Sequence, residues 1–312
     1  MRDFDENTIS DAVIARFANC ADPRTKQISE ALVRHLHNFM REIRPSEEEW
    51  AYAIDYLTRT GQKCDDKRQE FILLSDVLGA SMLMVAINYP PYKDVTASTV
   101  FGPFHVNNPP EFHNGDNIAG NMEGDPMYIE GVVTSAEGGP VHGATLDIWH
   151  SDGIGHYDVQ QMDKLGGFAG RGLIKTGPDG KFSFWTIRPE FYPVPTDGPV
   201  GELLRAQGRH PYRPAHVHFL ITAPGYARLV THVFANGDKY IDSDAVFGVK
   251  DSLIKTYEKK AAGTAAPDGV KPDKPWYYLD FDFVMRPANV DEKANGSARK
   301  APADSTVSYI PN

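Results

Sequence analysis

Apolar residues in the first hundred positions recur at intervals of three and four, the spacing typical of α-helices. One helix is predicted from about Lys26 to Ile43. A second begins at the capping sequence Ser46 to Trp50 and ends near Gly61. A third carries an apolar stripe formed by Phe71, Leu74, Leu78, Met82 and Val85. The stripe is typical of core packing, although a helical bundle or an interface between chains has the same pattern.

From about Met127 the period shortens to two, and turn sequences such as Gly177–Gly180 separate short segments rich in β-branched and aromatic residues. Six segments are predicted strands: MYIEGVVT, GATLDIW, KFSFWTI, AHVHFLIT, LVTHVF and YYLDFDFVM. In the last segment Leu279, Phe281 and Phe283 alternate with aspartates, as expected of a sheet with one wet face. The pattern predicts an α+β chain, with an N-terminal helical region followed by an antiparallel β-sandwich.

This change of period divides the chain into three predicted segments. Residues 1–105 form a helical region that joins a dimer or serves as a linker, and residues 106–290 form the sandwich domain. Residues 291–312 form a polar C-terminal tail. The tail is either a disordered end or an arm lying over a neighbouring chain.

Charge and composition exclude several classes of function. The net charge of −10 argues against nucleic acid or an anionic membrane surface as the main partner. The two cysteines, Cys20 and Cys64, lack metal-type spacing, which argues against a thiolate metal site or a disulfide framework. No apolar run approaches the length of a membrane span, and the first residues lack a basic-then-apolar signal sequence. A cytoplasmic location is therefore expected.

Two histidines, His216 and His218, stand two positions apart in the predicted strand RPAHVHF. Side chains at this spacing point to the same face of a strand, so the two imidazoles can converge on one metal ion. The alternative is a pair of polar residues on a solvated face, and a metal site needs ligands from elsewhere in the chain. The strand has no adjacent carboxylate of the kind that ferrous facial-triad sites use.

Two tyrosines lie in unusual contexts and are candidates for the missing ligands. Tyr157 follows a glycine-rich loop in DIWHSDGIGHYD, and Tyr192 lies in the proline-rich FYPVPTDGP. A phenol has a solution pKa near 10 and becomes a phenolate only beside a strong Lewis acid. Ferric iron is the hard ion that prefers anionic oxygen, so phenolate ligands would favour iron over zinc.

The segments DIWHSDGIGHYD, FYPVPTDGP, RPAHVHFLITAPGY and THVFANGDKY occur in this order and together resemble those of the intradiol ring-cleaving dioxygenases. These non-haem ferric enzymes open catechols between their two hydroxyl groups. The resemblance implies an enzyme that acts on a small aromatic diol or triol and O2. It also implies one Fe(3+) per subunit, held by Tyr157, Tyr192, His216 and His218.

The loops STVFGPFHV, FYPVPTDGPVGELLRAQGRHPYRPAHVHF and IDSDAVFGVKDSL resemble those of the hydroxyquinol-cleaving members, which act on benzene-1,2,4-triol. The resemblance implies a substrate pocket lined by Leu73, Asp76, Val100, Phe101, Gly102, Pro103, Phe104, Val194, Pro195, Arg213 and Val246. Cleavage of catechol or a chlorocatechol is the alternative within the family. The alternative from another class is a transthyretin-like β-sandwich binding module without iron.

Four polar residues near these segments have roles that the resemblance suggests. Tyr192 accepts a proton from the substrate, and Arg213 either stabilises negative charge on the substrate ring or forms a salt bridge. Asp76 either receives the third hydroxyl of the triol or lies on the solvent side of its helix. His232 is either a hydrogen-bonding residue beside the metal ligands or a buried structural histidine. The family also implies a homodimer joined through the N-terminal helices, where some members hold a phospholipid.

Overall fold

The computed structural model describes residues 2–65 and 68–288. The chain divides into two compact units, and the division lies between Arg59 and Thr60. The predicted boundary at residue 105 therefore falls inside the second unit, and the division into three segments stays a prediction. The predicted tail, residues 291–312, lies outside the described residues.

The first unit is helical, and its two longer helices have the N-terminal caps that their sequences favour. Its elements are α1 (Ile9–Ala15), a 3₁₀ turn (Arg16–Asn19), α2 (Pro23–Ile43) and most of α3 (Glu47–Gln62). Before α2, the carboxylate of Asp22 accepts the backbone N–H of Thr25 at 2.8 Å. The predicted capping box before α3 is confirmed: Ser46 N donates to Glu49 Oε2 at 2.8 Å, and Glu49 N donates to Ser46 Oγ at 3.2 Å.

The predicted third helix is two helices, because the chain turns at Gly79. Gly79 has a φ of +74°, and the helices on its two sides are bent by 77°. The prediction of one continuous stripe is therefore wrong: Phe71 and Leu78 are 45% and 56% exposed, whereas Val85 is buried. Helices of the second unit beyond α3 are α4 (Glu70–Val77), α5 (Ala80–Asn88), α6 (Met162–Leu165) and α7 (Pro199–Ala206).

Within residues 2–65 and 68–288, no single helix is both long enough and apolar enough to span a membrane. The bent pair of α4 and α5 meets the criteria of length and composition only when the two helices are taken together.

Twelve strands lie in the described part of the second unit, and they include all six segments predicted from the sequence. In chain order they are β1 (Pro126–Ser135), β2 (Thr145–His150), β3 (Arg171–Lys175), β4 (Lys181–Ile187), β5 (Tyr192–Pro193), β6 (Tyr212–Arg213), β7 (His216–Thr222), β8 (Leu229–Ala235), β9 (Ile254–Lys255), β10 (Glu258–Lys260), β11 (Trp276–Asp280) and β12 (Phe283–Met285). The last predicted segment is divided between β11 and β12.

Ten of the strands form two five-stranded sheets, both of them mixed, and β5 and β6 form an antiparallel pair. One has the order β10-β11-β1-β12, with β4 also pairing with β1, and the other has the order β3-β2-β7-β8-β9. Strand β1 pairs with β11 and β12 in parallel, and β8 pairs with β9 in parallel. The predicted antiparallel sandwich is corrected in this detail. Parallel pairing requires a long crossover, and the chain between β1 and β11 supplies one.

The core of the second unit lies between the two five-stranded sheets. Buried apolar side chains of both sheets meet there, among them Ile129, Val133, Phe184, Phe283, Leu146, Ile148, Val217, Phe219 and Val233. Val217 is fully buried in this core. Because side chains alternate along a strand, its neighbours His216 and His218 project from the opposite face of β7. The sandwich thus directs the histidine pair away from its own core.

Candidate active site

The sheet fixes the position of His218 from both sides. In the register of the strands, His218 on β7 lies opposite Trp149 on β2 and His232 on β8. The imidazole of His218 stacks on the indole of Trp149, with ring centroids 4.5 Å apart and 14° between the planes. Cross-strand neighbours on one face are in direct contact, so the strand pairing determines the plane of this ring.

A glycine also packs against the same imidazole. Gly102 has a φ of +80°, and a Cβ atom added there would lie 2.8 Å from Cε1 of His218. Any larger residue would therefore be strained in its backbone and would displace the ring. This contact gives a physical reason for glycine at a position that the sequence predicts to line the pocket.

The structure brings both predicted tyrosines to the histidine pair. Tyr157 and Tyr192 are at most 2% exposed, and their rings are nearly perpendicular with centroids 5.1 Å apart. The Oη atom of Tyr157 lies 3.0 Å from Nε2 of His218, which lies 3.0 Å from Nε2 of His216. Nη1 of Arg213 lies 3.4 Å from Oη of Tyr192 and 3.3 Å from Nε2 of His216. Two phenol oxygens and two imidazole nitrogens thus converge in one buried volume.

The protonation states of this cluster suit metal binding. Nδ1 of His216 donates to the carbonyl oxygen of Pro214 at 2.7 Å, which leaves the lone pair on Nε2. Burial, reinforced by the charges of neighbouring groups, lowers the pKa of His216 and of His218 well below its ordinary value, so both rings are neutral. Burial, with a smaller effect of Tyr192, raises the pKa of Tyr157 well above its ordinary value. That phenol keeps its proton unless a cation replaces it.

A third imidazole lies nearby, but its orientation differs. Nitrogen atoms of His216, His218 and His232 lie within 4.8 Å of one another. The planes of His216 and His218 are 64° apart, so their in-plane lone pairs can converge. The ring of His232 stacks on that of His216 at 18° and 4.6 Å, and it lies at 71° to the ring of His218 with centroids 4.1 Å apart. The cluster can hold a metal ion, and Nδ1 of His232 lies 3.4 Å from Nη2 of Arg213.

Arg213 is buried among these groups, and it forms a salt bridge there. Its Nε and Nη2 atoms donate to the two carboxylate oxygens of Asp244 at 3.1 and 3.3 Å, and its side chain is 2% exposed. Burial alone would lower the pKa of Arg213, but Asp244 and Tyr192 raise it above its ordinary value. The guanidinium is therefore permanently charged beside the phenol of Tyr192.

Apolar side chains surround the cluster. Four aliphatic residues of the predicted pocket are buried in one group with further side chains of α4 and α7. These four are Leu73, Val100, Val194 and Val246. Phe101 and Phe104 pack against the group that contains Trp149, Tyr157 and Tyr192. The ring of Phe104 stacks on that of Tyr157 at 4.4 Å and 25°. Pro103 and Pro195 are half-buried beside Gly102 and Val194 in the chain.

Asp76 is buried, so its alternative placement on the solvent side of the helix is wrong. It is 5% exposed on α4, one turn from Leu73 of the pocket wall. Burial raises the pKa of Asp76 to about 6, with Asp244 acting in the same direction and with Ser81 and Arg213 opposing it. A carboxylate in this position is costly unless a hydrogen-bond donor reaches it.

Buried charges attach the loop after Tyr192 to α4. Glu70, which is fully buried, accepts Nε of Arg68 at 2.9 Å and the backbone N–H of Val200 at 3.1 Å. Arg68 also donates to Asp197 at 2.6 Å. These bonds therefore hold α4, which carries Asp76, against the loop that follows Tyr192.

Sequence reasoning did not identify several residues that support the site. Asp147 and Trp149 share a face of β2, and His105 lies against both: its Nε2 is 2.8 Å from Asp147 Oδ2, and its ring centroid is 4.8 Å from that of Trp149. The alternation in TLDIWH was a signal for this shared face. No such signal pointed to Asp244. A buried arginine needs a carboxylate partner, but the sequence does not indicate which of the 42 aspartates and glutamates provides it.

Comparison with known proteins identifies the family. A family model described as "Dioxygenase" matches residues 100–287, and one described as "Catechol dioxygenase N terminus" matches residues 22–96. The chain belongs to the intradiol dioxygenase family. The resemblance predicted from four sequence segments is confirmed.

Individual relatives of this intradiol dioxygenase align along most of its length. It is 55% identical to the 6-chlorohydroxyquinol 1,2-dioxygenase of Cupriavidus pinatubonensis, over 92% of this chain and 99% of that protein. It is 48% identical to the hydroxyquinol 1,2-dioxygenase of Nocardioides simplex, over 91% and 96% of the two chains. The crystal structure of hydroxyquinol 1,2-dioxygenase from Pseudomonas putida DLL-E4 superposes with a TM-score of 0.84 and 47% identity, over 91% of this chain and 99% of that one.

Proposed function

We propose that this intradiol dioxygenase cleaves hydroxyquinol, benzene-1,2,4-triol, with O2. The ring opens between the two adjacent hydroxylated carbons, both oxygen atoms enter the product, and the product is 3-hydroxy-cis,cis-muconate, which tautomerises to maleylacetate. The observation that carries the proposal is the buried cluster of Tyr157, Tyr192, His216 and His218 beside the charged Arg213. A binding module without chemistry has no need of such a cluster, and the transthyretin-like alternative is less supported.

The donor set of the cluster fits ferric iron, one ion per chain. Neutral imidazoles and phenol oxygens are ligands for hard and borderline ions, and a trivalent ion is strong enough to displace the proton of a buried phenol. When bound, ferric iron supplies a Lewis acid that orients the substrate oxygens and makes the ring reactive toward O2. Tyr157, Tyr192, His216 and His218 would hold it.

The side chains around the cluster manage protons and charge. Tyr192 is the proposed proton acceptor, because a phenolate whose conjugate acid has a solution pKa near 10 can take a proton from a substrate hydroxyl. The guanidinium of Arg213 stabilises negative charge that develops on the substrate ring. His232 accepts Nη2 of Arg213 on its Nδ1 at 3.4 Å, so it acts on the guanidinium and is not a proposed ligand.

The pocket wall favours a triol over catechol. We expect the aromatic ring of the substrate to pack between two groups of side chains. The rings of Phe101 and Phe104 form one group, and the aliphatic side chains of Leu73, Val100, Val194 and Val246 form the other. Asp76 is the one carboxylate among the predicted pocket residues, and its burial is offset by a hydrogen bond from the third hydroxyl. Catechol has no such hydroxyl, and a chlorine atom in its place cannot donate.

Oxygen uptake by the iron-loaded protein tests this function. Hydroxyquinol, catechol and 4-chlorocatechol are supplied separately, and the product is followed by its ultraviolet absorbance. We expect the highest kcat/KM with hydroxyquinol. We also expect a visible absorption band from phenolate-to-iron charge transfer. A colourless iron-loaded protein contradicts the tyrosine ligands, and faster cleavage of catechol contradicts the proposed substrate.

Replacing Asp76 with alanine is expected to lower the ratio of kcat/KM for hydroxyquinol to that for catechol by about 10- to 100-fold. This is the effect of losing a hydrogen bond to a charged group, on the order of 1.5–3 kcal/mol. The measurement is oxygen uptake with both substrates.

The matched control for this variant is Ser75→Ala, which changes the preceding residue of α4 and leaves Asp76 in place. Its Oγ contacts Ser81 at 2.9 Å, and Ser81 also bonds Asp76, so this variant tests the effect of altering the support of the carboxylate while the carboxylate itself remains. An unchanged ratio in Asp76→Ala excludes the recognition role.

We also propose that the chain forms a homodimer through its N-terminal helices. Helix α2 has no buried residue, and it carries a row of large apolar side chains that are each at least half exposed: Ile28, Leu32, Leu36, Phe39 and Ile43. Their spacing of three and four residues forms one stripe, which a second chain or a phospholipid tail would cover. Light scattering should give twice the chain mass, and a monomer mass contradicts the dimer. The cytoplasmic location stays a prediction from the sequence.

A further inference from the structure

The carboxylate of Asp244 receives four N–H donors. Its Oδ1 accepts Nε of Arg213 at 3.1 Å and the backbone N–H of Val246 at 3.3 Å. Its Oδ2 accepts Nη2 of Arg213 at 3.3 Å and the backbone N–H of Gly248 at 2.9 Å. Asp244 is 6% exposed and Arg213 is 1% exposed. Each carboxylate oxygen is therefore shared between the guanidinium and the loop that follows Asp244.

The loop from Asp244 to Gly248 carries Val246 of the pocket wall and is tightly packed. Phe247 has a φ of +60°, a left-handed conformation that is unusual for an aromatic residue. A Cβ atom at Gly248 would lie 3.0 Å from Nη2 of Arg213. A second bond anchors the same loop, because Oγ1 of Thr99 donates to the carbonyl oxygen of Gly248 at 2.6 Å.

The opposite edge of the guanidinium faces the proposed metal ligands. Nη1 of Arg213 lies within 3.4 Å of both Oη of Tyr192 and Nε2 of His216. The guanidinium is planar and rigid, so fixing Nε and Nη2 also fixes the direction of Nη1. Asp244 thereby determines where the positive charge of Arg213 lies relative to the substrate.

We propose that Asp244 is a positioning residue that acts through Arg213. The proposal rests on the function proposed above, in which Arg213 stabilises negative charge on the substrate. Asparagine cannot replace Asp244, because its amide offers one acceptor oxygen and directs N–H donors at the remaining two donors. Glutamate keeps the charge, but its extra methylene displaces either the guanidinium or the loop.

A double-mutant cycle on the holoenzyme tests the proposal with the variants Asp244→Asn, Arg213→Met and the double variant. We expect Asp244→Asn to lower kcat for hydroxyquinol by about 10- to 100-fold, as for other partners that orient active groups. Arg213→Met should lower kcat at least as much. Adding Asp244→Asn to Arg213→Met should lower it no further, because the residue through which Asp244 acts is already absent. Iron content and thermal unfolding are measured for every variant.

The control is Thr99→Val, which removes one further hydrogen bond of the same loop and leaves the bonds between Asp244 and Arg213 in place. This variant should unfold at a lower temperature, and its kcat should stay within about threefold of the kcat of the protein without substitutions. If the effects of Asp244→Asn and Arg213→Met on kcat multiply, Asp244 acts independently of Arg213 and the proposal is overturned. If Asp244→Asn does not fold, the cycle is repeated with Asp244→Glu. Absence of turnover in the unchanged chain contradicts the proposed function instead, and anaerobic hydroxyquinol affinity then serves as the readout of the cycle.

Discussion

Replacing His218 with alanine is expected to remove bound iron and to lower hydroxyquinol turnover by about 1,000-fold or more, since losing the metal forfeits several kcal/mol of transition-state stabilisation. His218 is the central member of the cluster. Its Nε2 lies 3.0 Å from both Oη of Tyr157 and Nε2 of His216. Without this imidazole, the remaining donors no longer surround one point.

Iron per chain, measured by mass spectrometry, and the visible absorption band report this loss independently of turnover. The matched control is His142→Ala, which removes an exposed histidine in the turn before β2 and should leave iron content and turnover within about twofold. A second comparison is His232→Gln, which should retain iron because Nδ1 of His232 is occupied by Nη2 of Arg213. Full iron occupancy in His218→Ala contradicts the proposed ligand set. Loss of iron in His232→Gln would indicate a three-histidine site instead.

The fold was predictable wherever periodic burial leaves a trace in the sequence. The segment KFSFWTI coincides with β4 from Lys181 to Ile187, and buried and exposed residues alternate from Leu279 to Phe283 as predicted. Strands β5 and β6 have two residues each, too few for a period to be visible. The bend at Gly79 was missed because one glycine in an apolar helix pattern has several meanings, and only its positive φ in the folded chain distinguishes them.

The candidate site was likewise predictable in part. The H-x-H spacing and the contexts of the two tyrosines pointed to residues that the fold brings within 3.0–3.4 Å of one another or of Arg213. Some of the residues that hold these groups in place come from distant loops and have no local signal. Asp244, for example, is 31 residues from Arg213. Their identity depends on tertiary contacts, which composition and periodicity do not encode.

One such supporting group is the buried ion pair of Asp158 and Arg171, directly after Tyr157. Nε of Arg171 donates to Asp158 Oδ2 at 2.6 Å, and Nη2 of Arg171 contacts the other carboxylate oxygen. Both side chains are at most 2% exposed. Asp158 also accepts the backbone N–H of Ala169 at 3.2 Å. The pair thereby connects the loop of Tyr157 to β3, where Arg171 lies opposite Trp149 of β2.

Asp158→Ala is expected to lower the free energy of unfolding by about 3–5 kcal/mol, because it leaves the guanidinium of Arg171 buried without its carboxylate. Iron content should fall as well, since the loop that presents Tyr157 loses its anchor to β3. Urea denaturation of the iron-free protein measures the first effect separately from the second. A partly exposed pair provides the matched control: Glu30→Gln removes the partner of Arg34, at 3.7 Å on α2, and should change stability by less than about 0.5 kcal/mol.

The double variant Asp158→Leu with Arg171→Met separates the two contributions of the pair. It removes both charges and keeps apolar volume, so much of the lost stability should return, as it does for other buried ion pairs that are replaced together. Iron affinity should stay low in this variant, because apolar side chains cannot hold the loop of Tyr157 by hydrogen bonds. If iron affinity returns together with stability, the ion pair acts only on folding and has no part in presenting Tyr157. If stability does not return, packing around Asp158 is more important than its charge.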